Sequence, residues 1–358
     1  MKILRHLTCS MVLIASVAGV AAAGARDYCE VHGEREATLC SYEPTTLGVT
    51  NDSDDTTFMD FKLSVSYQLF PRWITRVQNW AHDGLGEDSA LYFAFTGRFG
   101  QYIGSRDSSP VVEKLFNPKL FYRYWTDDDH RDRIDFAFAH QSNGQSIDSP
   151  EEYQAALLTS KNSHEVKDQL SRGWDYWEIA WKKTWHEREK KRSEAPAEPC
   201  TDEACRKARE EAACDGTCRA CDSCRGIGRR ESMETSIVSY LGVKFFLPRG
   251  PFEGAQENYN DWENDPEGKP LNKVSGLSAL IKWTEQGSAL CFSDLKVAAR
   301  FETGMREMFR YKTFRFEIGT KFLQLPLSYW RQTGYNSDLA QYFKKVRSYG
   351  IQAEIGSF

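Results

Sequence analysis

The segment "RIDFAFAHQSNG" (residues 133–144) carries a histidine and a serine two positions apart. A serine hydroxyl becomes a nucleophile when a base lies within hydrogen-bond reach and a third group fixes the tautomer of that base. His140 and Ser142 are candidates for the base and the nucleophile, and Asp175 in "SRGWD" (171–175) is a candidate for the third group. These residue types predict nucleophilic acyl chemistry if the fold brings the three side chains together.

The three candidates have an unusual position within their segments. In a β-strand, successive side chains point to opposite faces. His140 and Ser142 have the same parity as Phe136 and Phe138, and Asp175 has the same parity as the tryptophans that follow it. The two segments are consecutive and joined by one loop, so antiparallel pairing would place Asp175 beside His140. We therefore expect a polar site on the most apolar face of two neighbouring strands.

Segments in which apolar and polar residues alternate recur along the chain. They include residues 60–70, 91–99, 176–185, 294–301, 313–322 and 348–355. A soluble sandwich also alternates, but a membrane barrel turns its apolar residues to lipid and its polar residues to the lumen. About a dozen segments have the roughly 9–11 residues of a spanning strand, Trp and Tyr recur at their ends, and the last segment leads to the aromatic Phe358. The sequence therefore predicts an all-β fold, a transmembrane antiparallel β-barrel.

The first residues of the chain predict export. Basic residues precede the apolar run "MVLIASVAGVAAA", which ends in small residues as secretory signal peptides do. We expect a signal peptide over residues 1–23, an N-terminal periplasmic segment with the first strand over 24–56, and the barrel over 57–358. A charged insertion at 186–232 interrupts the barrel. The expected location is the outer membrane of a Gram-negative bacterium, and the net charge of −5 gives no argument for nucleic acid as a partner.

Nine of the ten cysteines remain once Cys9 leaves with the signal peptide. Six of the nine lie between Cys200 and Cys224, within the insertion. An oxidising compartment favours disulfides, and the odd number leaves one thiol over. Their short spacings are also typical of a metal cluster such as a zinc site, so both alternatives stay open.

The two polar motifs together resemble the outer-membrane phospholipase A family. That family has His-x-Ser-Asn-Gly followed, after a loop, by Ser-Arg-x-Trp-Asn. This chain has "HQSNG" (140–144) and then "SRGWD". Residues 108–124 resemble the segment that precedes the family's catalytic strand, and residues 333–355 resemble its last hairpin. The resemblance covers roughly residues 58–185 and 235–358 and stops at the cysteine-rich insertion.

The resemblance implies a barrel of twelve strands that hydrolyses sn-1 and sn-2 acyl esters of phospholipids (phospholipase A1 and A2 activity). It implies dependence on calcium and activity as a homodimer. By position, Ser142 is the nucleophile, His140 is the base and the Gly144 N–H is the oxyanion donor. The family's asparagine is replaced here by Asp175, so that an Asn in its place should still support activity. We expect the Asp175 carboxylate to lie near the outer headgroups, where the neighbouring loop keeps it hydrated.

The resemblance also implies the calcium ligands. They are the carbonyl of Gln145, the hydroxyl of Ser171, and Ser108 of the partner subunit, with an acidic ligand in a later outer loop, either Asp265 or Asp261. A hard cation accepts such oxygen donors and completes its shell with water.

The same resemblance predicts the orientation of the barrel in the membrane. If the site lies at the outer leaflet, the loop at 145–170 is extracellular and the insertion at 186–232 is periplasmic. Ser149 and Pro150 predict the start of a helix in the loop. Two alternatives to the phospholipase remain. One is a lipid A deacylase, which also carries a His-x-Ser pair on a barrel exterior, and the other is a non-catalytic, porin-like barrel with a decayed site.

Overall fold

The computed structural model of the protein describes residues 39–52, 57–69, 89–102, 112–127, 130–160, 166–189, 234–248, 250–252, 270–289, 292–322, 325–337, 339–340 and 342–355. The predicted signal peptide, the cysteine-rich part of the insertion, Ser108, Asp261 and Asp265 lie outside these residues. Within the described part, no helix is long and apolar enough to cross a membrane.

Thirteen strands and two short helices make up the described structure. The strands are β1 (Leu39–Ser41), β2 (Thr45–Asp52), β3 (Thr57–Leu69), β4 (Ser89–Tyr102), β5 (Val112–Trp125), β6 (Arg133–Ser142), β7 (Gly173–Glu189), β8 (Glu234–Phe246), β9 (Gly276–Ala289), β10 (Phe292–Gly304), β11 (Lys312–Phe322), β12 (Leu325–Gly334) and β13 (Val346–Ile355). The helices are α1 (Pro150–Thr159) and α2 (Leu271–Val274).

Strands β2 to β13 form one closed barrel. Each of them pairs antiparallel with the next along the chain, and β13 closes the sheet by pairing with β2. The short β1 pairs antiparallel with residues 65–67 of β3, beyond the residues of β3 that pair with β2. The prediction of a transmembrane antiparallel barrel with 12 strands is confirmed.

The faces of the barrel are inverted relative to a soluble sandwich. In β3, Phe61 and Leu63 are exposed, whereas Ser64, Ser66 and Gln68 on the opposite face are buried. Closing the sheet turns the second face into the lumen, so the polar side chains are enclosed and the apolar ones are left outside. This arrangement is stable when lipid surrounds the outer wall.

Ion pairs fill the lumen beside the strands that carry the site. The Arg123 guanidinium on β5 donates two hydrogen bonds to the Asp135 carboxylate on β6, at 2.8 and 2.9 Å. On the same side, the Lys119 ammonium donates to the Glu178 carboxylate on β7. All four side chains are buried, and pairing offsets the cost of removing their charges from water.

The loops at one end of the barrel pack into small apolar cores. We call this the site end, because β6 ends there and β7 begins there. Helix α1 lies in the loop between these two strands, and the Ser149 hydroxyl caps it by accepting from the Glu152 N–H at 3.3 Å, as predicted. A larger cluster at the same end consists of Trp174, Leu271, Val274, Tyr311, Leu339 and Tyr342.

Candidate functional site

The register between β6 and β7 brings the histidine and the acid together. His140 pairs with Asp175, and Ser142 pairs with Gly173. The His140 Nδ1 atom lies 2.8 Å from Asp175 Oδ1, which is hydrogen-bond distance. The predicted antiparallel pairing of the two strands is therefore confirmed. A carboxylate in this position holds the imidazole proton on Nδ1 and leaves Nε2 as the basic nitrogen.

Ser142 lies on the same outer face as His140. It is the last residue of β6 and is partly exposed, as is His140. Residues two apart on a strand are separated by about 6–7 Å, which a histidine side chain leaning along the strand can bridge. Trp177, on the same face of β7, is 54 % exposed. The pair therefore faces the same surroundings as the lipid-facing aromatic residues.

The surroundings of Asp175 differ from the expectation. Its side chain is 0 % exposed, so the prediction that the carboxylate is hydrated was wrong. The connection from β8 to β9 crosses over it: the Phe252 N–H donates to Asp175 Oδ2 at 2.9 Å, and the Leu247 N–H donates to the Asp175 carbonyl at 2.9 Å. Two donors, one from His140 and one from the backbone, replace the water that the carboxylate would otherwise bind.

We call residues 250–252 the strap. Gly250 lies so close to the acid that a Cβ atom at this position would be 1.8 Å from Asp175 Oδ2. The Phe252 ring is 70 % exposed, and its centroid lies 5.8 Å from that of His140 and 6.2 Å from that of Phe138. The strap therefore covers the acid with its backbone and places an aromatic side chain beside the base.

Sequence reasoning missed the strap. The only signal was a glycine between two prolines in "LPRGPF" (247–252), which is typical of a turn. Such a pattern gives no indication of which strand the turn covers.

Asn143 and Arg172 join the two motifs. The Asn143 N–H donates to the Arg172 carbonyl at 3.0 Å, the Arg172 N–H donates to Asn143 Oδ1 at 2.8 Å, and Asn143 Nδ2 donates to the Leu170 carbonyl at 2.7 Å. Both side chains are almost fully buried. These bonds hold the backbone of Gly144, which has a positive φ of 56° that glycine adopts without strain.

The loop that follows Gly144 is anchored by a small core around Tyr153 on α1. Burial raises the pKa of the Tyr153 hydroxyl, and the charge of the nearby Arg172 acts in the opposite direction. Tyr153 packs with Ile147, Val166 and Leu170. This core fixes the loop against the motif that carries Ser171.

Two of the four expected calcium ligands lie in the described part. The segment after Gly144 runs beside the segment before β7, since the Ile147 N–H donates to the Gln169 carbonyl at 3.0 Å and the Ser171 N–H donates to the Ile147 carbonyl at 2.7 Å. Gln145 and Ser171 thus belong to adjoining segments at the site end. A carbonyl and a hydroxyl are donors that suit calcium.

The described residues contain no metal site built from His, Cys, Asp and Glu side chains. Among the described residues, no group of three or more His, Cys, Asp or Glu side chains could hold a metal ion. Cys40 is the only cysteine described, and it is disulfide-bonded.

Comparison with known proteins supports the resemblance. A sequence model of the family described as Phospholipase A1 matches residues 41–152, which include His140, Ser142 and Gly144. A search of curated proteins finds no match.

The solved structures with a similar fold include outer-membrane phospholipases. The calcium-bound dimer of the Salmonella typhi outer membrane phospholipase is 13 % identical, with a TM-score of 0.51, and the match covers 93 % of this chain and 98 % of that one. An active-site mutant of Escherichia coli outer membrane phospholipase A is 15 % identical, with a TM-score of 0.50, and the match covers 89 % of this chain and 92 % of that one. The resemblance to outer-membrane phospholipase A is thus confirmed by the family match and by the fold.

Proposed function

We propose that the protein is an outer-membrane phospholipase that hydrolyses acyl esters of phospholipids with Ser142 as nucleophile, His140 as base and Asp175 as the orienting acid. The observation that carries the proposal is the hydrogen bond between His140 and Asp175 on the outer wall of a membrane barrel. Together with Ser142 on the same face, this bond supplies the parts of a serine hydrolase. The family match over residues 41–152 supports the same reaction class.

The location of the three residues indicates the substrate class. They lie on the face that carries exposed aromatic and aliphatic side chains, whereas the lumen holds paired charges. The molecules that contact such a wall within a bilayer are lipids. We place the site at the outer leaflet, with the loop at 145–170 extracellular and the insertion at 186–232 periplasmic.

In the proposed reaction, His140 Nε2 takes the proton of the Ser142 hydroxyl as the oxygen attacks the acyl carbonyl. The Gly144 N–H donates to the oxyanion of the tetrahedral intermediate. The imidazolium then gives its proton to the leaving lysophospholipid oxygen. A water molecule, deprotonated by His140, attacks the acyl-serine and releases the fatty acid.

Calcium is part of the proposal. Ser171 and the Gln145 carbonyl would hold the ion, together with Ser108 of the partner subunit and Asp265, in a calcium-dependent homodimer. When bound, calcium supplies positive charge near the oxyanion. The dimer with bound calcium described for the Salmonella typhi phospholipase supports this part of the proposal.

Hydrolysis by the refolded protein tests the function. We expect release of fatty acid from phospholipid micelles, loss of release when a chelator removes calcium, and at least about a 10³-fold loss in Ser142→Ala, because no other group can form the acyl-enzyme. Heat-modifiable migration on a gel would show that the variant is still a folded barrel.

Two other results of the same assay separate the alternatives. Deacylation of lipid A without turnover of phospholipid would indicate a lipid A deacylase. Turnover of neither lipid by folded protein with calcium would indicate a porin-like barrel with a decayed site.

A further inference from the structure

We infer that the strap specifies a carboxylate at position 175, so that in this protein an asparagine cannot replace the aspartate. The strap would be a positioning element for the base, acting through Asp175. This inference rests on the proposed function. It concerns residues 250–252, which lie in a different connection from the two sequence motifs.

The donors around the acid distinguish a carboxylate from an amide. Within the described part of the chain, the Asp175 carboxylate meets two N–H groups: Nδ1–H of His140 at Oδ1 and the backbone N–H of Phe252 at Oδ2. An ionised carboxylate has two acceptor oxygens and matches both. An asparagine side chain has one acceptor oxygen and one NH₂ donor, so it can match only one of them.

Either orientation of an asparagine at this position is unfavourable. If its oxygen faces His140, its NH₂ group faces the Phe252 N–H, and two buried donors oppose each other. If its oxygen faces Phe252, its NH₂ group faces His140 Nδ1, which must then be an acceptor. The imidazole proton then moves to Nε2, and the ring can no longer take the proton of Ser142.

The packing around the acid prevents an asparagine at this position from relieving the unmatched donors by binding water or by rotating. The Asp175 side chain is fully buried, so no bulk water can accept from an unmatched N–H. Gly250 lies in direct contact with the carboxylate, which leaves no room for the side chain to rotate towards the strap. The strap therefore reverses the expectation, based on the resemblance alone, that an asparagine would support activity here.

The experiment uses five variants of the full-length protein, three single and two double, and measures kcat and KM on phospholipid micelles. Asp175→Asn should lower kcat by about 10²–10⁴-fold, with little change in KM. Phe252→Ala keeps the backbone N–H and should therefore lower kcat less than Phe252→Pro does. Phe252→Pro removes that N–H, the loss of a charge-assisted hydrogen bond, and should lower kcat by about tenfold or more.

The double variants decide between a positioning role and a merely structural one. Removal of the opposing donor should make the asparagine tolerable, so Asp175→Asn with Phe252→Pro should be at least about tenfold faster than Asp175→Asn alone. Asp175→Asn with Phe252→Ala should show no such recovery. Near-normal kcat in Asp175→Asn, or equal rates for the two double variants, would overturn the inference.

A second measurement covers the case in which Phe252→Pro does not fold. Nitrogen and amide-proton NMR shifts of labelled Asp175→Asn protein in micelles report the His140 tautomer and the hydrogen bond of the Phe252 N–H. We expect at least one of the two to change relative to the natural protein. If both stay the same, the strap does not discriminate between the two side chains.

The two proposals fail in different ways. Activity that survives in Asp175→Asn but is lost in Ser142→Ala would leave the phospholipase function standing and remove the role of the strap. Absence of lipid hydrolysis in the natural protein would remove the function, while the NMR measurement would still test the strap.

Discussion

The outer wall at β6 and β7 and the lumen wall of the same strands both bury charged groups, but they stabilise them differently. In the lumen, the Lys119 ammonium on β5 pairs with the Glu178 carboxylate on β7, so each charge is offset by the opposite charge on another strand. On the outer wall, the described groups that bind the Asp175 carboxylate are an imidazole and a backbone N–H.

The difference shows what a polar site on a lipid-facing surface requires. Inside a barrel, the closed sheet provides the partners, because every inward side chain faces others across the lumen. Outside, nothing faces the side chain except lipid, so a connection must fold back over it. The strap provides this cover for Asp175 and leaves His140 and Ser142 accessible.

Among the changes that test this comparison, the largest effect should come from a single methyl group in the strap. Gly250→Ala would place its Cβ on the carboxylate of Asp175 and displace it from His140. We expect kcat to fall by roughly 10–10²-fold, because misplacement of about 1 Å is enough to cost that much. In an Asp175→Ala background, which leaves room for the methyl group, Gly250→Ala should cause no further loss.

Gly97→Ala is the matched control for this variant. Gly97 lies on β4 in the barrel wall, and the three atoms nearest to a Cβ there belong to the rings of Phe95 and Phe99, at 3.1 to 3.3 Å, which can shift. Its kcat should be close to that of the natural protein. Equal losses in the two glycine variants would show that the wall, and not the acid, is sensitive to added volume.

A change in the lumen should affect stability and leave catalysis alone. Glu178→Gln leaves the buried Lys119 ammonium with the Tyr42 hydroxyl, 3.1 Å away, but without its carboxylate. We expect the free energy of unfolding to fall by about 3 kcal/mol, as for other broken buried pairs. Denaturant titration in micelles measures this, and kcat of the folded fraction should be unchanged. A large drop in kcat would mean that the lumen and the outer wall are coupled.

The smallest effect should come from an ion pair in water at the site end. Glu307 lies in the connection between β10 and β11, where the hydrogen bond from Lys273 lowers the pKa of its carboxyl, and Arg310 contributes in the same direction. The stabilisation is present above the ordinary carboxyl pKa and is lost as the pH falls through the lowered value. Because this group is exposed, Glu307→Gln should shift the midpoint of unfolding by no more than the scatter of the measurement, at neutral and at acidic pH.

Much of the barrel could be predicted from the sequence, because a strand has a period of two and the parity of each residue defines its face. The alternation in β3 predicts which side chains are exposed, and the parity of His140, Ser142 and Asp175 predicts that they share the outer face. The pairing of consecutive strands then predicts that the histidine meets the acid.

The strap could not be predicted in this way. Phe252 follows Asp175 by 77 positions, and it contacts the acid through a connection rather than through a strand register. Loop contacts of this kind depend on the packing of the whole site end and have no period. For the same reason, the sequence did not indicate the burial of Asp175 or the proposed requirement for a carboxylate at position 175.

The outward direction of Ser142 and His140 also has a kinetic consequence. A catalyst that meets its substrate within the bilayer encounters it by lateral diffusion in two dimensions. Its rate therefore depends on the mole fraction of phospholipid in the surface and not on the phospholipid concentration per volume. Inert detergent would slow the reaction by surface dilution. Both products, a fatty acid and a lysophospholipid, would leave sideways and change the membrane that surrounds the barrel.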